Sequence, residues 1–155
     1  MKVFLDANII MDFLGNREMH DQTDIIIKCA EFGAIDACVS ASIIDNLVYL
    51  IGMNLKRQEV KEPEKRNKIR QMLIALLKFI DVVDISKTAV IDAISDLSFK
   101  DLEDSLQYHC ALENKCDSLI TINIKDFPTS NDGIEVLTPI QFVNKYIESG
   151  ISDKA

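Results

Sequence analysis

The side chains best suited to chemistry in this sequence are carboxylates at the ends of apolar runs. Asp6 ends the first such run, Asp45 follows the second, and Asp104 and Asp126 flank the fourth. Clustered carboxylates repel one another unless cations neutralise them, and hard oxygen ligands favour Mg²⁺ or Mn²⁺. Such ions lower the pKa of a bound water and stabilise charge on a phosphodiester. The pattern therefore indicates metal-dependent cleavage of a polyanion, without a histidine base.

The sequence lacks the motifs that other catalytic chemistries require. The chain has two histidines, His20 and His109, and neither stands in a recognisable Ser or Cys nucleophile context. Its five glycines form no glycine-rich phosphate-binding motif, so no nucleotide cofactor is expected. Its four cysteines are scattered without a CxxC pair, which is typical of reduced core thiols in a cytosolic protein.

The elements that must position the carboxylates alternate between strand and helix. This rhythm, with continuously apolar strands, predicts an α/β protein with a parallel sheet covered on both faces. In such a sheet the ligand crevice lies outside the carboxyl ends of the strands, where Asp6, Asp45 and Asp104 are expected to meet. We predict about five strands, at residues 3–5, 37–40, 81–85, 118–122 and 135–137.

The predicted helices follow from caps and from apolar side chains at helical spacing. The clearest stripe lies within 69–80, with Pro63 placed to open the helix. The others are predicted at residues 24–32, 44–55 after Ser42, 90–97 after Ser86, 102–110 and 140–147. A length of 155 residues suits one domain, expected at 1–148, with a flexible tail at 149–155.

Several of the carboxylates also have a structural explanation. Asp101 and Asp104 suit a helix N-terminus, where caps and the helix dipole favour acids. Ser42 followed three residues later by Asp45 fits a capping box. Asp6 is harder to explain in this way, because an unpaired charge beside a buried sheet edge costs on the order of several kcal/mol.

The overall charge argues against a broad basic surface. The formal net charge is −8, which disfavours non-specific nucleic-acid binding. Cations outnumber acids only between residues 56 and 70, where Lys65, Arg66 and Arg70 are candidates for weak RNA contacts and a solvated helix face is the alternative. No apolar run approaches the length of a membrane helix, and neither a signal peptide nor an anchor is expected.

Three segments together resemble the PIN domain: VFLDAN at 3–8, DLEDSL at 101–106 and ITINIKDF at 120–127. The pattern is most similar to the bacterial branch related to VapC-type toxins, and it spans the chain from Lys2 to about Tyr146. The resemblance implies a three-layer α/β/α fold. It also implies a cytoplasmic, Mg²⁺- or Mn²⁺-dependent endoribonuclease, working as a homodimer and restrained by a cognate antitoxin protein.

By this resemblance the chain supplies four acids to a catalytic metal site. Asp6 stands at the first ligating position, Asp104 at the third acidic position, and Asp45 at the position after strand two that is usually Glu. Asn123 replaces a fourth Asp found in many members, and Asp126 is expected to compensate for it. The resemblance also predicts four supporting residues: Asn8, Asp101, Thr121 and Asn123.

Three alternatives belong to other classes. A haloacid-dehalogenase-type phosphotransferase needs a second acid two residues after Asp6, where Asn8 stands. A response-regulator receiver needs a phosphoacceptor acid after strand three, where Ser86 and Lys87 stand. The strongest alternative is a PIN-like module that binds RNA or a protein without cleaving, which Asn123 and the acidic surface favour.

Overall fold

The computed structural model of this protein describes residues 1–128 and 133–152. Its five strands form one parallel sheet in the order β3-β2-β1-β4-β5. They are β1 (Lys2–Leu5), β2 (Asp36–Ser40), β3 (Asp81–Val83), β4 (Ser118–Ile120) and β5 (Glu135–Leu137). The predicted three-layer α/β/α fold with five parallel strands is confirmed.

Helices connect the strands and cover the sheet. They are α1 (Ala7–Gly15), α2 (His20–Glu31), α3 (Ala41–Arg57), α4 (Glu64–Leu76), α5 (Lys87–Ser95), α6 (Leu102–Glu113), α7 (Pro139–Phe142) and α8 (Ser149–Ser152). A short 3-10 helix spans Ile124–Asp126, and a π-helical segment, Val143–Glu148, joins α7 to α8. None of the helices in the described ranges is long and apolar enough to cross a membrane.

The centre of the sheet is fully buried. Val3, Phe4 and Leu5 of β1 are each 0% exposed, because helices cover both faces of this strand. Leu5 pairs in register with Ile120 of β4, and the backbone N–H of Asp6 donates to the Ile120 carbonyl at 3.1 Å. The carboxyl ends of β1 and β4 therefore coincide at the point where the strand order reverses, which is where open α/β sheets bind ligands.

Helix α1 is the element that the sequence pattern did not predict. Its buried residues include Ala7, Ile9 and Ile10, and most of its side chains are apolar, so in the sequence it continues the apolar run of β1. Its Asp12 is only 2% exposed and accepts hydrogen bonds from the Met19 N–H at 3.1 Å and the Thr23 hydroxyl at 3.0 Å. Buried hydrogen bonds of this kind cannot be recognised from the spacing of residues in the sequence.

Element ends differ from the predictions by a few residues. The cap of α3 is Ser40, whose side chain accepts from the Ile43 N–H at 3.3 Å, so the expected start after Ser42 was wrong. Ser86 caps α5 and Pro63 directly precedes α4, as predicted. Of the expected flexible tail 149–155, the first four residues form α8, and residues 153–155 lie outside the described residues.

Candidate active site

A cleft of about 620 Å³ opens beyond the carboxyl ends of β1 and β2. Three of the four predicted carboxylates, those of Asp6, Asp45 and Asp104, line it together. They reach it from the end of β1, from the first turns of α3 and from the first turn of α6. The structure therefore brings together acids that are far apart in the sequence. Its other polar lining residues are Ser42, Asn46, Tyr49, Glu103 and Gln107.

Asp6 is held in place by donors from the start of α1 and from the loop after β4. Its Oδ2 accepts a hydrogen bond from the Thr121 hydroxyl at 2.9 Å and another from the Asn8 side-chain amide at 3.1 Å. Burial raises the pKa of the Asp6 carboxyl above its ordinary value, and the hydrogen bond from Thr121 opposes this shift. The carboxylate is thus oriented by its neighbours but only partly compensated for its loss of water.

Asn8 and Thr121 tie the start of α1 to the loop after β4. The Asn8 side-chain oxygen accepts from the Ile122 N–H at 3.2 Å, and the Thr121 hydroxyl oxygen accepts from the Asn123 N–H at 3.2 Å. These bonds fix the start of α1 and the loop after β4 relative to each other and to Asp6. Both residues donate hydrogen bonds to the Asp6 carboxylate, and their supporting role in activity stays a prediction.

Asp104 has the most perturbed acid–base behaviour in the cleft. Burial raises its pKa to about 7, with further contributions from the negative charges of Asp6, Asp101 and Asp126. Asp101 caps α6, accepting from the Glu103 N–H at 2.8 Å and the Asp104 N–H at 3.2 Å. The structural explanation for Asp101 therefore holds, and its charge also raises the proton affinity of Asp104.

Asp45 and Asp126 occupy different parts of the site. Asp45 is exposed on the cleft wall, and the capping-box explanation for it was wrong because Ser40, not Ser42, caps α3. Asp126 is exposed in the 3-10 helix and does not line the cleft, yet its charge raises the pKa of Asp104. Asn123, at the N-cap of that 3-10 helix, is exposed as well.

The sequence reasoning missed a polar bridge across the cleft floor. The Ser40 hydroxyl donates to the Gln107 side-chain oxygen at 2.7 Å, and the Gln107 amide donates to the Ser42 hydroxyl at 3.3 Å. This bridge joins the end of β2 to α6 and so fixes the separation of Asp45 and Asp104. A serine ending a buried strand was the available signal, but nothing local marked Gln107.

The three candidate RNA contacts do not all line one groove. Lys65 lines a groove between α3 and α4, beside Lys56 and Arg57. The Arg66 Nε lies 3.3 Å from Oε2 of Glu62, and the Arg70 guanidinium donates to the Asn67 side-chain oxygen at 3.0 Å. Lys65 therefore remains a candidate, while Arg66 and Arg70 do not line the groove.

The residues present fit a divalent cation that keeps part of its water shell. Among residues 1–128 and 133–152, no three acidic, His or Cys side chains form a ready metal cage. Mg²⁺ does not require one, since it binds through one or two carboxylates and retains several waters. Asp6 and Asp104 supply two such carboxylates to one cleft. The pKa of Asp104 is raised first by burial and then by repulsion from neighbouring acids, and a cation would relieve the repulsion.

Comparison with known proteins agrees with this architecture. Residues 2–125 match the PIN domain family, and the chain belongs to that family. Within it the chain is VapC-like: it is 27% identical over 150 residues to "Ribonuclease VapC1" of Aquifex aeolicus, covering 94% of this chain and 95% of the relative. The resemblance predicted from the three sequence segments is thereby confirmed.

Two solved structures share the fold. A chain of a toxin-antitoxin complex from Klebsiella pneumoniae aligns with a TM-score of 0.62 at 19% identity, covering 88% of this chain and 97% of that one. A chain of VapBC2 from Rickettsia felis, crystallised with a DNA fragment from its promoter, aligns with a TM-score of 0.64 at 16% identity. That alignment covers 89% of this chain and 98% of the other.

Proposed function

We propose that this protein is a divalent-metal-dependent endoribonuclease that hydrolyses RNA phosphodiester bonds in the cytoplasm. The observation that carries the proposal is the meeting of Asp6 and Asp104 in one cleft at the carboxyl end of β1. The relative named ribonuclease VapC1, aligned along nearly the whole chain, supports RNA as the substrate.

Asp6 and Asp104 would hold the ion, with Asp45 and Asp126 as the further candidate ligands. When bound, Mg²⁺ or Mn²⁺ in such a site supplies an activated water and neutralises charge that develops on the phosphodiester. The protein contributes orientation: Thr121 and Asn8 fix the Asp6 carboxylate, and the Asp101 cap fixes the first turn of α6. Supporting partners of this kind commonly matter about 10- to 100-fold for metal affinity or activity.

The proposed partner is a cognate antitoxin. Both aligned solved structures are toxin-antitoxin assemblies, and this chain covers nearly the full length of the aligned chains. We therefore propose that the protein is the toxin of such a pair, active as a homodimer and inhibited when the antitoxin binds. Co-purification from cells that express the neighbouring reading frame would test this assignment.

The ribonuclease proposal predicts cleavage that depends on both metal and Asp6. Protein treated with EDTA should degrade single-stranded RNA only after Mn²⁺ or Mg²⁺ is added. Asp6→Asn and Asp104→Asn should each lower the rate at least about 100-fold, because each removes a ligand charge that the reaction needs. The measurement is the rate of loss of a fluorescently labelled RNA on denaturing gels.

The matched control is Asp92→Asn, an exposed acid of α5 outside the cleft, which should leave the rate unchanged. If both the Asp6 and the Asp104 variants keep the wild-type rate, the activity belongs to a contaminating nuclease and the proposal is contradicted. Asn123 at the fourth acidic position favours a second candidate, a PIN-like module that binds RNA or a protein without cleaving. Binding of Mn²⁺ by wild type without cleavage of varied RNAs would support that candidate.

A further inference from the structure

A second concave surface adjoins the acidic cleft. It is a groove of about 750 Å³ between α3 and α4, and we call it the α3–α4 groove. Its apolar wall contains Val48, Met53 and Ile69, and its cationic residues are Lys56, Arg57 and Lys65. Within the described ranges, no acidic side chain lines it.

The charge of the groove is opposite to that of the cleft and of the molecule. The whole chain carries a formal net charge of −8, yet three cations meet here. Lys65 is partly neutralised, since its Nζ lies 3.7 Å from Oε1 of Glu62, and Lys56 and Arg57 are exposed at the end of α3. The positive charge of the groove therefore attracts a polyanion, whereas the net negative charge of the molecule repels it.

Tyr49 joins the two surfaces. It lines both the acidic cleft and the α3–α4 groove, and its side chain is 64% exposed. Along α3 the lining residues Asp45, Tyr49 and Lys56 follow one helical stripe. At 1.5 Å of rise per residue, this stripe runs roughly 16 Å from the acid to the lysine.

Gly52 keeps the floor of the groove open. It lies within α3 and lines the groove, and an added Cβ would lie 3.6 Å from Cδ1 of Ile69 on α4. Glycine is a poor residue for the middle of a helix, and alanine would be accommodated there without a clash. The fold of α3 thus gives no reason for glycine, whereas an open groove does.

We propose that the α3–α4 groove binds the single-stranded flank of the RNA substrate next to the scissile bond. One base stacks on Tyr49, and the phosphates of the flank contact Lys56, Arg57 and Lys65. This inference rests on the proposed function, because it takes the acidic cleft to be where cleavage occurs. It adds the substrate's form, single-stranded beyond the cleavage point, and the direction in which the strand leaves the cleft.

A single strand fits these residues better than a duplex does. Proteins that bind single strands combine a positive groove along the backbone with an exposed aromatic ring for base stacking. In a duplex the base faces are already stacked, so Tyr49 has nothing to contact. A protein segment would satisfy the apolar wall but does not require three cations beside an aromatic ring.

Binding measured without metal separates the groove from the cleft. In EDTA, fluorescence anisotropy of a labelled single-stranded RNA should show at least about 5-fold weaker binding for Tyr49→Ala, and near-wild-type binding for Tyr49→Phe. The double variant Lys56→Gln with Arg57→Gln should reduce the slope of log affinity against log salt by about 0.7 for each lost phosphate contact. A duplex of the same sequence should bind independently of Tyr49.

Two matched controls guard against general effects. Phe32→Ala removes another exposed aromatic ring, 82% exposed at the end of α2, and should leave RNA affinity unchanged. Lys68→Gln removes a cation of α4 that pairs with Glu64 and does not line the groove, and it should leave the salt slope unchanged. An equal loss of affinity in Phe32→Ala and Tyr49→Ala would overturn the inference.

Cleavage assays distinguish this inference from the proposed function. Tyr49→Ala should raise the KM for a long single-stranded RNA several times more than the KM for a dinucleotide, because a dinucleotide does not extend beyond the cleft into the groove. If wild type binds RNA in this pattern but cleaves nothing, the proposed function fails and the groove assignment stands. If wild type cleaves and Tyr49→Ala has the KM of wild type for long RNA, the groove assignment fails.

An interface between two copies of the chain is the remaining occupant to exclude. Sedimentation velocity should give the same oligomeric state for wild type and for Tyr49→Ala. Loss of a dimer in the variant, with RNA affinity unchanged, would show that the α3–α4 groove is a self-association surface and overturn the inference.

Discussion

Asp6 and Asp104 are both half-buried carboxylates, but their surroundings differ. Asp6 accepts hydrogen bonds from Thr121 and Asn8, which stabilise its charged form and limit the rise of its pKa. For Asp104, burial and four nearby acids together raise the pKa to about 7. At pH 7 the Asp104 carboxyl of the metal-free protein is therefore about half protonated, and its ionisation is the one that burial and the neighbouring acids oppose.

Removing the Asp104 charge should stabilise the metal-free protein above pH 7. A carboxyl whose pKa is higher folded than unfolded binds more protons when folded, so its contribution to stability falls as pH rises from about 4 to about 7. Asn cannot ionise and escapes this penalty. In EDTA at pH 8, Asp104→Asn should exceed wild type by about 1–2 kcal/mol in free energy of unfolding, allowing for solvent screening.

Urea unfolding at pH 4 and at pH 8 provides the measurement, with Asp92→Asn as the surface control. The two proteins should converge at pH 4, where the wild-type carboxyl is largely protonated in the folded state. A variant less stable than wild type at pH 8 would mean that Asp104 is structural, and the repulsion argument would be wrong.

Residues of the candidate site were predictable from the sequence where they directly follow a strand. Asp6 and Asp45 follow the first two strands of a parallel sheet, so general rules bring them to one edge. Gln107 was not predictable, because its partner Ser40 lies 67 residues away and no local pattern connects them. The capping box at Ser42 failed for a related reason: Ser40 and Ser42 both suit a cap, and only the end of β2 decides between them.

At the level of elements, α6 begins with two acids that have different roles: Asp101 is its N-cap and Asp104 lies in its first turn. Asp101 serves as the cap while adding negative charge beside Asp104, so a single substitution mixes two effects. Asn keeps a capping oxygen without the charge, and Ala removes both. Asp101→Ala should therefore be less stable than Asp101→Asn by about 1 kcal/mol. Thermal and urea unfolding in EDTA would measure this difference, and equal stability of the two variants would mean that the cap contributes nothing.

The prediction of elements succeeded where they are amphipathic or capped and failed where they are buried. Helix α4 showed its apolar stripe and its proline, and α5 showed Ser86 as its cap. Helix α1 has no cap signal, because Asp6 makes no side-chain cap bond to it, and its apolar residues follow those of β1 after a single polar position. Asp6 instead directs its carboxylate toward Thr121 and Asn8, so the missing cap is consistent with a functional role.

For the whole molecule, the parallel sheet was predictable but the order of its strands was not. Alternating strands and helices require crossovers, and crossovers give parallel neighbours. Nothing in the sequence says that β4 returns beside β1 rather than beside β3. That choice places Thr121 next to Asp6 and makes the switch point coincide with the acids, so the site depends on a property of the whole chain.

Because the site joins β1 to α6, binding of an ion there should stabilise the entire fold. A ligand at about 100 times its Kd stabilises the folded state by about 2.7 kcal/mol, which for a chain of this size raises Tm by on the order of 5–10 °C.

A net charge of −8 complicates the measurement, since any salt screens general repulsion and also raises Tm. Mn²⁺ must therefore be compared with NaCl at equal ionic strength, in wild type and in Asp6→Asn. Wild type should show an additional rise with Mn²⁺, whereas Asp6→Asn should respond to both salts alike, because it keeps the general repulsion and loses a ligand. The same Mn²⁺-specific rise in both proteins would place the ion elsewhere, and no specific rise in either would mean that Asp6 and Asp104 do not share a cation.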